Sequence, residues 1–138
     1  MADQQLALGR EISLSMADFE TLFGRGYYRG KLMSAFREAI SSLRSAGCKR
    51  ISVGYSFISP SVDARMMHVG WDAKGVDRSL LSAEVLDNFV PGDLDKYRSF
   101  GCHLFPSDQN FDGVDGMTYL RHNRLRNQAS AVVLIELA

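Results

Sequence analysis

Two short stretches of this chain gather the side chains best suited to holding a partner. Arg25-Gly26-Tyr27-Tyr28-Arg29-Gly30-Lys31 interleaves cations with aromatic rings, and Arg121-His122-Asn123-Arg124-Leu125-Arg126-Asn127 is a basic run just before the C-terminal apolar segment. A guanidinium pairs with carboxylates and phosphates through a planar fork, and a tyrosine offers an apolar ring with a polar tip. Arg and Tyr are also over-represented among the residues that dominate interface energy. The candidate partner-binding residues are therefore Arg25, Tyr27, Arg29 and Lys31 in the first stretch, and Arg121, His122, Arg124 and Arg126 in the second. The plainer reading of each stretch is a solvated face, with Tyr28 in the core and the arginines paired to acids.

Asp108-Gln109-Asn110-Phe111-Asp112-Gly113 has the spacing of the first half of a calcium loop, with oxygen side chains at its first, third and fifth positions. The second half departs from that pattern. Tyr119 stands where a bidentate glutamate belongs, and Asp115 where an apolar residue is expected. Asp and Asn are also the residues that turns favour, because their side chains bond their own backbone. A plain surface loop is the expectation.

His68, His103, His122 and Cys102 are the remaining groups with ligand or acid–base chemistry, yet none falls in a zinc or metalloprotease spacing. Adjacent side chains in a strand point to opposite faces, so Cys102 and His103 make a poor nucleophile–base pair. His68 reads as a surface histidine. Gly54-Tyr55-Ser56-Phe57-Ile58 lacks the closing glycine of a nucleophile elbow, and Gly24–Lys31 lacks the spacing of a phosphate-binding loop. No catalytic residue, metal site or cofactor is assigned, and the enzyme reading is disfavoured.

These groups are positioned by elements that the periodicity outlines. Leu6, Leu8, Ile12 and Leu14 alternate like a strand, and Ser15 precedes Asp18 by three residues as a helix N-cap does. A short helix over Met16–Phe23 should break at Gly24-Arg25-Gly26. A longer one over Tyr27–Ala46 carries Tyr28, Leu32, Ala35, Phe36, Ala39, Ile40 and Leu43 on a single face and ends at Gly47. Ile51, Val53, Tyr55 and Phe57 alternate with Arg50, Ser52, Gly54 and Ser56. Then Met67, Val69 and Trp71 alternate with Met66, His68 and Asp72, which predicts a hairpin with a long loop. A helix bearing Leu81, Val85, Leu86 and Phe89 should stop at Pro91-Gly92, and a short third helix is expected from Asp93 through Phe100. The Pro106–Gly116 segment is turn-rich. Ala131–Ile135, apolar on both faces, predicts a central strand.

The fold class implied is α+β: a long amphipathic helix on a mainly antiparallel sheet, in the order β-α-β-β-α-(irregular)-β. That order matches a ferredoxin-like plan, except that the plan puts its last strand at an edge. A helix plus a meander sheet of different strand order is the alternative. The 138 residues suit a single domain spanning 1–138. Sixteen basic and sixteen acidic residues cancel, so no overall field attracts nucleic acid or an anionic membrane. The N-terminus has no apolar secretory run and no segment is long enough to span a bilayer, so a cytoplasmic protein with reduced thiols at Cys48 and Cys102 is expected.

The functional expectation is a non-catalytic binding domain that meets another protein as an adaptor, inhibitor or assembly subunit. A phosphate or nucleic-acid binder using the Arg/Tyr stretches is the first alternative. A small metal-dependent hydrolase using His103, His122 and the Asp-rich loop is the second. No membrane partner is expected, and a homo-oligomer is compatible with the sequence.

Overall fold

A computed structural model describes residues 11–54, 66–92, 101–120, 122–123, 128–129 and 132–137. Strand β1 (Glu11–Leu14) leads into helix α1 (Met16–Phe23), where the Ser15 hydroxyl accepts the Asp18 amide at 3.1 Å as the predicted N-cap. Helix α2 (Tyr27–Ser45) follows. All but one of the predicted apolar-face residues from Leu32 to Leu43 and Tyr28 are buried; Tyr28 is half-buried, and Met33 joins the buried set.

The end of α2 shows why the chain turns there. Gly47 at φ 94° donates its N–H to the Arg44 carbonyl, and Cys48 donates to the Leu43 carbonyl. This is a Schellman closure, which satisfies carbonyls that the helix leaves open. Buried Cys48 follows, its thiol donating to the Arg50 carbonyl at 3.3 Å, and the chain enters β2 (Arg50–Val53).

Strand β3 (Met66–Trp71) keeps the predicted alternation, with Met67, Val69 and Trp71 buried and Met66 and His68 half-buried. A 3-10 turn (Arg78–Leu80) and helix α3 (Ala83–Leu86) come next. The helix is shorter than the sequence periodicity predicts. Asn88 adopts φ 68°, a left-handed conformation that ends a helix, and Phe89 opens strand β4 (Phe89–Pro91) instead of closing the helix. The helix expected over Asp93–Phe100 lies outside the described residues.

Strand β5 (Gly101–Pro106), absent from the periodicity reading, is buried almost throughout. The β6–β7 hairpin (Asn110–Phe111 and Val114–Asp115), helix α4 (Gly116–Leu120), the short β8–β9 pair (His122–Asn123 and Gln128–Ala129) and β10 (Val132–Glu136) complete the chain.

The main sheet has the order β1-β10-β2-β3-β5-β4. Pairings β10–β2, β2–β3 and β4–β5 are antiparallel, while β1–β10 and β3–β5 are parallel, so the sheet is mixed. The ferredoxin-like plan does not describe it. That plan puts the last strand at an edge, whereas β10 lies between β1 and β2 with Val132, Val133 and Ile135 fully buried. An apolar strand with both faces covered is stable only inside a sheet. The edge falls to β1, whose Glu11 and Ser13 are exposed.

Helices α1 and α2 cover one face. Phe19 and Phe36 meet there with ring centroids 5.4 Å apart, above Ile51, Val53, Met67, Val69, Leu104 and Ile135. The other face is covered in part by the hairpin and α4, where Phe105, Leu120 and Val132 form a second, smaller cluster with Phe111, Tyr119 and Leu134. Among the described residues no helix is long and apolar enough to cross a membrane.

Candidate functional site

The first basic–aromatic stretch sits at the junction of α1 and α2. Gly26 at φ 103° begins α2 without a side-chain cap. Tyr27 is 71% exposed, its ring edge-on to Tyr28 at 5.1 Å, and the Lys31 ammonium lies 5.1 Å from its centroid. That cation–π contact and the neighbouring ring hold an exposed aromatic in place. Arg25 is exposed, Arg29 half-buried, and Leu22, on the last turn of α1, is 53% exposed. The sequence expectation of Tyr28 on the inner face is met only halfway, since its side chain is half-buried and packs edge-on with Tyr27.

The second stretch is mostly beyond what the structure describes. Arg121, Arg124 and Arg126 lie outside the described residues, and His122 is placed only as backbone in β8. The structure therefore joins Tyr27 with Lys31, places Arg25 and Arg29 near them in sequence, and leaves the second group unassigned to any shared surface.

The Asp-rich loop is a hairpin turn. Asp112 at φ 53° and Gly113 at φ 87° form the two-residue connection between paired Phe111 and Val114, the conformation that Asp-Gly favours. Its oxygens have local duties. Asn110 Oδ1 accepts the Gly113 amide at 2.6 Å, Asp115 Oδ1 accepts the Thr118 amide at 2.8 Å as α4 begins, and Asp108 pairs with Arg78 at 3.2 Å. They bond separately, and among the described residues no three His, Cys, Asp or Glu side chains cluster around a common point.

A pair that sequence reasoning missed lies on the partly covered face. The parallel register of β3 and β5 sets His68 opposite His103. Their Nδ1 atoms are 3.2 Å apart and the rings are nearly perpendicular, with centroids at 5.4 Å. Both rings are half-buried. Burial, and secondarily the neighbouring imidazole, hold the His68 pKa below its ordinary value; burial does the same for His103. The pair is thus neutral at pH 7, with one Nδ1 donating and the other accepting. Phe105 lies 5.4 Å from His103 on the same strand face, and Phe89 of β4 is opposite His103. Across β2, Gly54 donates its amide to the His68 carbonyl at 2.9 Å, and a Cβ at position 54 would come within 2.9 Å of Leu120.

His68 was legible as belonging to the face opposite Met67 and Val69, although not as half-buried. Its partner was not legible, because that depends on which strand lies beside β3. The opposite orientation of Cys102 and His103 follows the strand rule: Cys102 is fully buried on the helix face, with Sγ 4.0 Å from the Leu32 carbonyl. Burial pushes its thiol pKa up to about 12, which removes it as a nucleophile at neutral pH.

A groove of about 340 Å³ opens on the same face near Arg50, Ser52, Gly70, Asp72 and Ser107. Arg50 there is paired with Glu136 at 2.7 Å, and the Asp72 carboxylate accepts the Lys74 backbone amide at 3.0 Å. Comparison with protein-family models, curated proteins and solved structures finds no match to this chain, so its chemistry is argued from its own residues.

Proposed function

We propose that this chain is a non-catalytic binding module that acts through protein–protein contacts, with the α1–α2 junction as part of its contact surface. The observation that supports this reading is Tyr27, an aromatic ring 71% exposed and braced by Lys31 and Tyr28. A ring already held in position offers contact area at little cost in conformational entropy. Exposed Leu22 adds an apolar neighbour in sequence, and Lys31 at the ring and exposed Arg25 add positive charge. The partner that fits this chemistry is a protein presenting carboxylates around an apolar pocket.

The experiment places a photo-crosslinking amino acid at position 27, and at exposed Lys74 as a control, in the native host's extract. A protein captured from position 27 and not from 74 is then purified. Tyr27→Ala should weaken its binding by about 2 kcal/mol, the scale of an interface hot spot. Wild-type affinity in Tyr27→Ala would end this reading. Capture of nucleic acid, with binding that weakens steeply as salt is added, would replace it with the nucleic-acid alternative.

A further inference from the structure

We propose that His68 and His103 form a two-imidazole chelate for one late first-row transition-metal ion, Zn²⁺ or Cu²⁺, leaving the remaining coordination positions open to water or a small ligand. The distance carries the argument. Two nitrogens bound to one tetrahedral zinc at about 2.0–2.1 Å lie about 3.3–3.4 Å apart. The two Nδ1 atoms stand 3.2 Å apart with perpendicular rings, close to the separation that one ion imposes, and ring rotation turns both lone pairs to it.

The backbone holds this geometry. The two histidines are direct partners in a parallel ladder at the middle of a six-stranded sheet, with β2 on one side and β4 on the other. Ligands on paired strands keep their separation better than ligands on loops. The surroundings favour the ion as well. Phe105 beside His103 and Phe89 paired across from it give the site an apolar flank, while partial exposure gives an ion and its remaining ligands a way in. An imidazole binds a metal ion through a ring nitrogen that carries no proton. In the metal-free pair a proton on one Nδ1 bridges the two nitrogens. On binding, that ring becomes the Nε2–H tautomer and both Nδ1 lone pairs turn to the ion, with no net proton change at neutral pH. Imidazole donors suit zinc and copper and disfavour calcium and magnesium.

The test titrates Zn²⁺ into the full chain by calorimetry at pH 7.5, and records the electron paramagnetic resonance spectrum with one equivalent of Cu²⁺. Binding at one ion per chain is expected, with two equivalent nitrogens in the copper spectrum. His68→Gln and His103→Gln should each weaken zinc binding roughly tenfold or more, whereas Glu84→Gln, exposed on α3, should leave it within about twofold. The copper spectrum of the wild-type chain keeps the test decisive if either glutamine variant fails to fold. The proposal is overturned if the wild-type chain binds neither ion, if the spectrum shows one nitrogen, or if folded His68→Gln binds zinc as tightly as wild type. In that case the two rings are a hydrogen-bonded structural pair.

Discussion

The two faces of the main sheet follow the same alternation rule and reach different outcomes. On the helix face every inward position meets a fitted apolar surface: Phe19, Leu32, Phe36 and Leu43 are fully buried over Ile51, Val53, Met67 and Leu104. Among the described residues the opposite face is covered by a two-strand hairpin and a five-residue helix, and the cluster there is Phe105, Leu120 and Val132. That face also carries Ser52, His68 and His103. Where one cover is continuous, polar side chains are excluded by the cost of desolvation; where it is partial, a hydrogen-bonded imidazole pair is tolerated. The helix face therefore holds the larger of the two described clusters, and the other face leaves the imidazole pair half-exposed.

The largest effect that would test this contrast is in the helix-face core. Phe36→Ala should destabilise the fold by about 3–5 kcal/mol in urea melts, because a fully buried ring leaves a cavity under α2. Phe111→Ala on the other face should cost less, about 1–2 kcal/mol, although its ring stacks on Tyr119 at 4.1 Å, since Phe111 is only half-buried. Equal losses for the two variants would erase the distinction between the faces.

The smallest and most selective effect is pH dependence. Both histidine pKa values are depressed from 6.5 in the fold, so the unfolded chain takes up protons first as the solution acidifies. The stability contributed by the neutral pair is present above about pH 6.5 and is lost as pH falls through the folded pKa values. Melting temperature followed from pH 8 to 5 should decline along this range in wild type, and the decline should be shallower in His68→Gln. An identical pH profile in the two proteins would show that the pair contributes nothing to acid sensitivity.

Calcium-loop spacing in residues 108–113 shows how local sequence can suggest more than one structure. The same Asp-Gly that resembles part of a cation loop is also the best two-residue hairpin turn, and with Tyr119 in the ligand place of the glutamate the hairpin prevails. Helix α2, its inner face, its N-terminal boundary and its stop at Gly47 were all legible, because helical periodicity and left-handed glycine are properties of neighbouring residues. The α3 segment was less so. Leu81 and Val85 are buried as the helical pattern predicts, but Asn88 turns the chain before Phe89 and sends that ring into a strand.

What the sequence by itself determined is which side chains share a face: Met67 with Val69 and Trp71, His68 opposite them, and a C-terminal strand apolar on both sides. What only the tertiary structure decided is adjacency. The parallel pairing of β3 with β5 joins residues 35 positions apart, and insertion of β10 between β1 and β2 joins the two ends of the described chain. Alternation is fixed residue by residue by backbone geometry, so it can be read locally. Strand order is chosen by which arrangement covers the most apolar surface at once, a property of the whole chain, and on that choice depends whether two histidines are distant surface groups or a pair 3.2 Å apart.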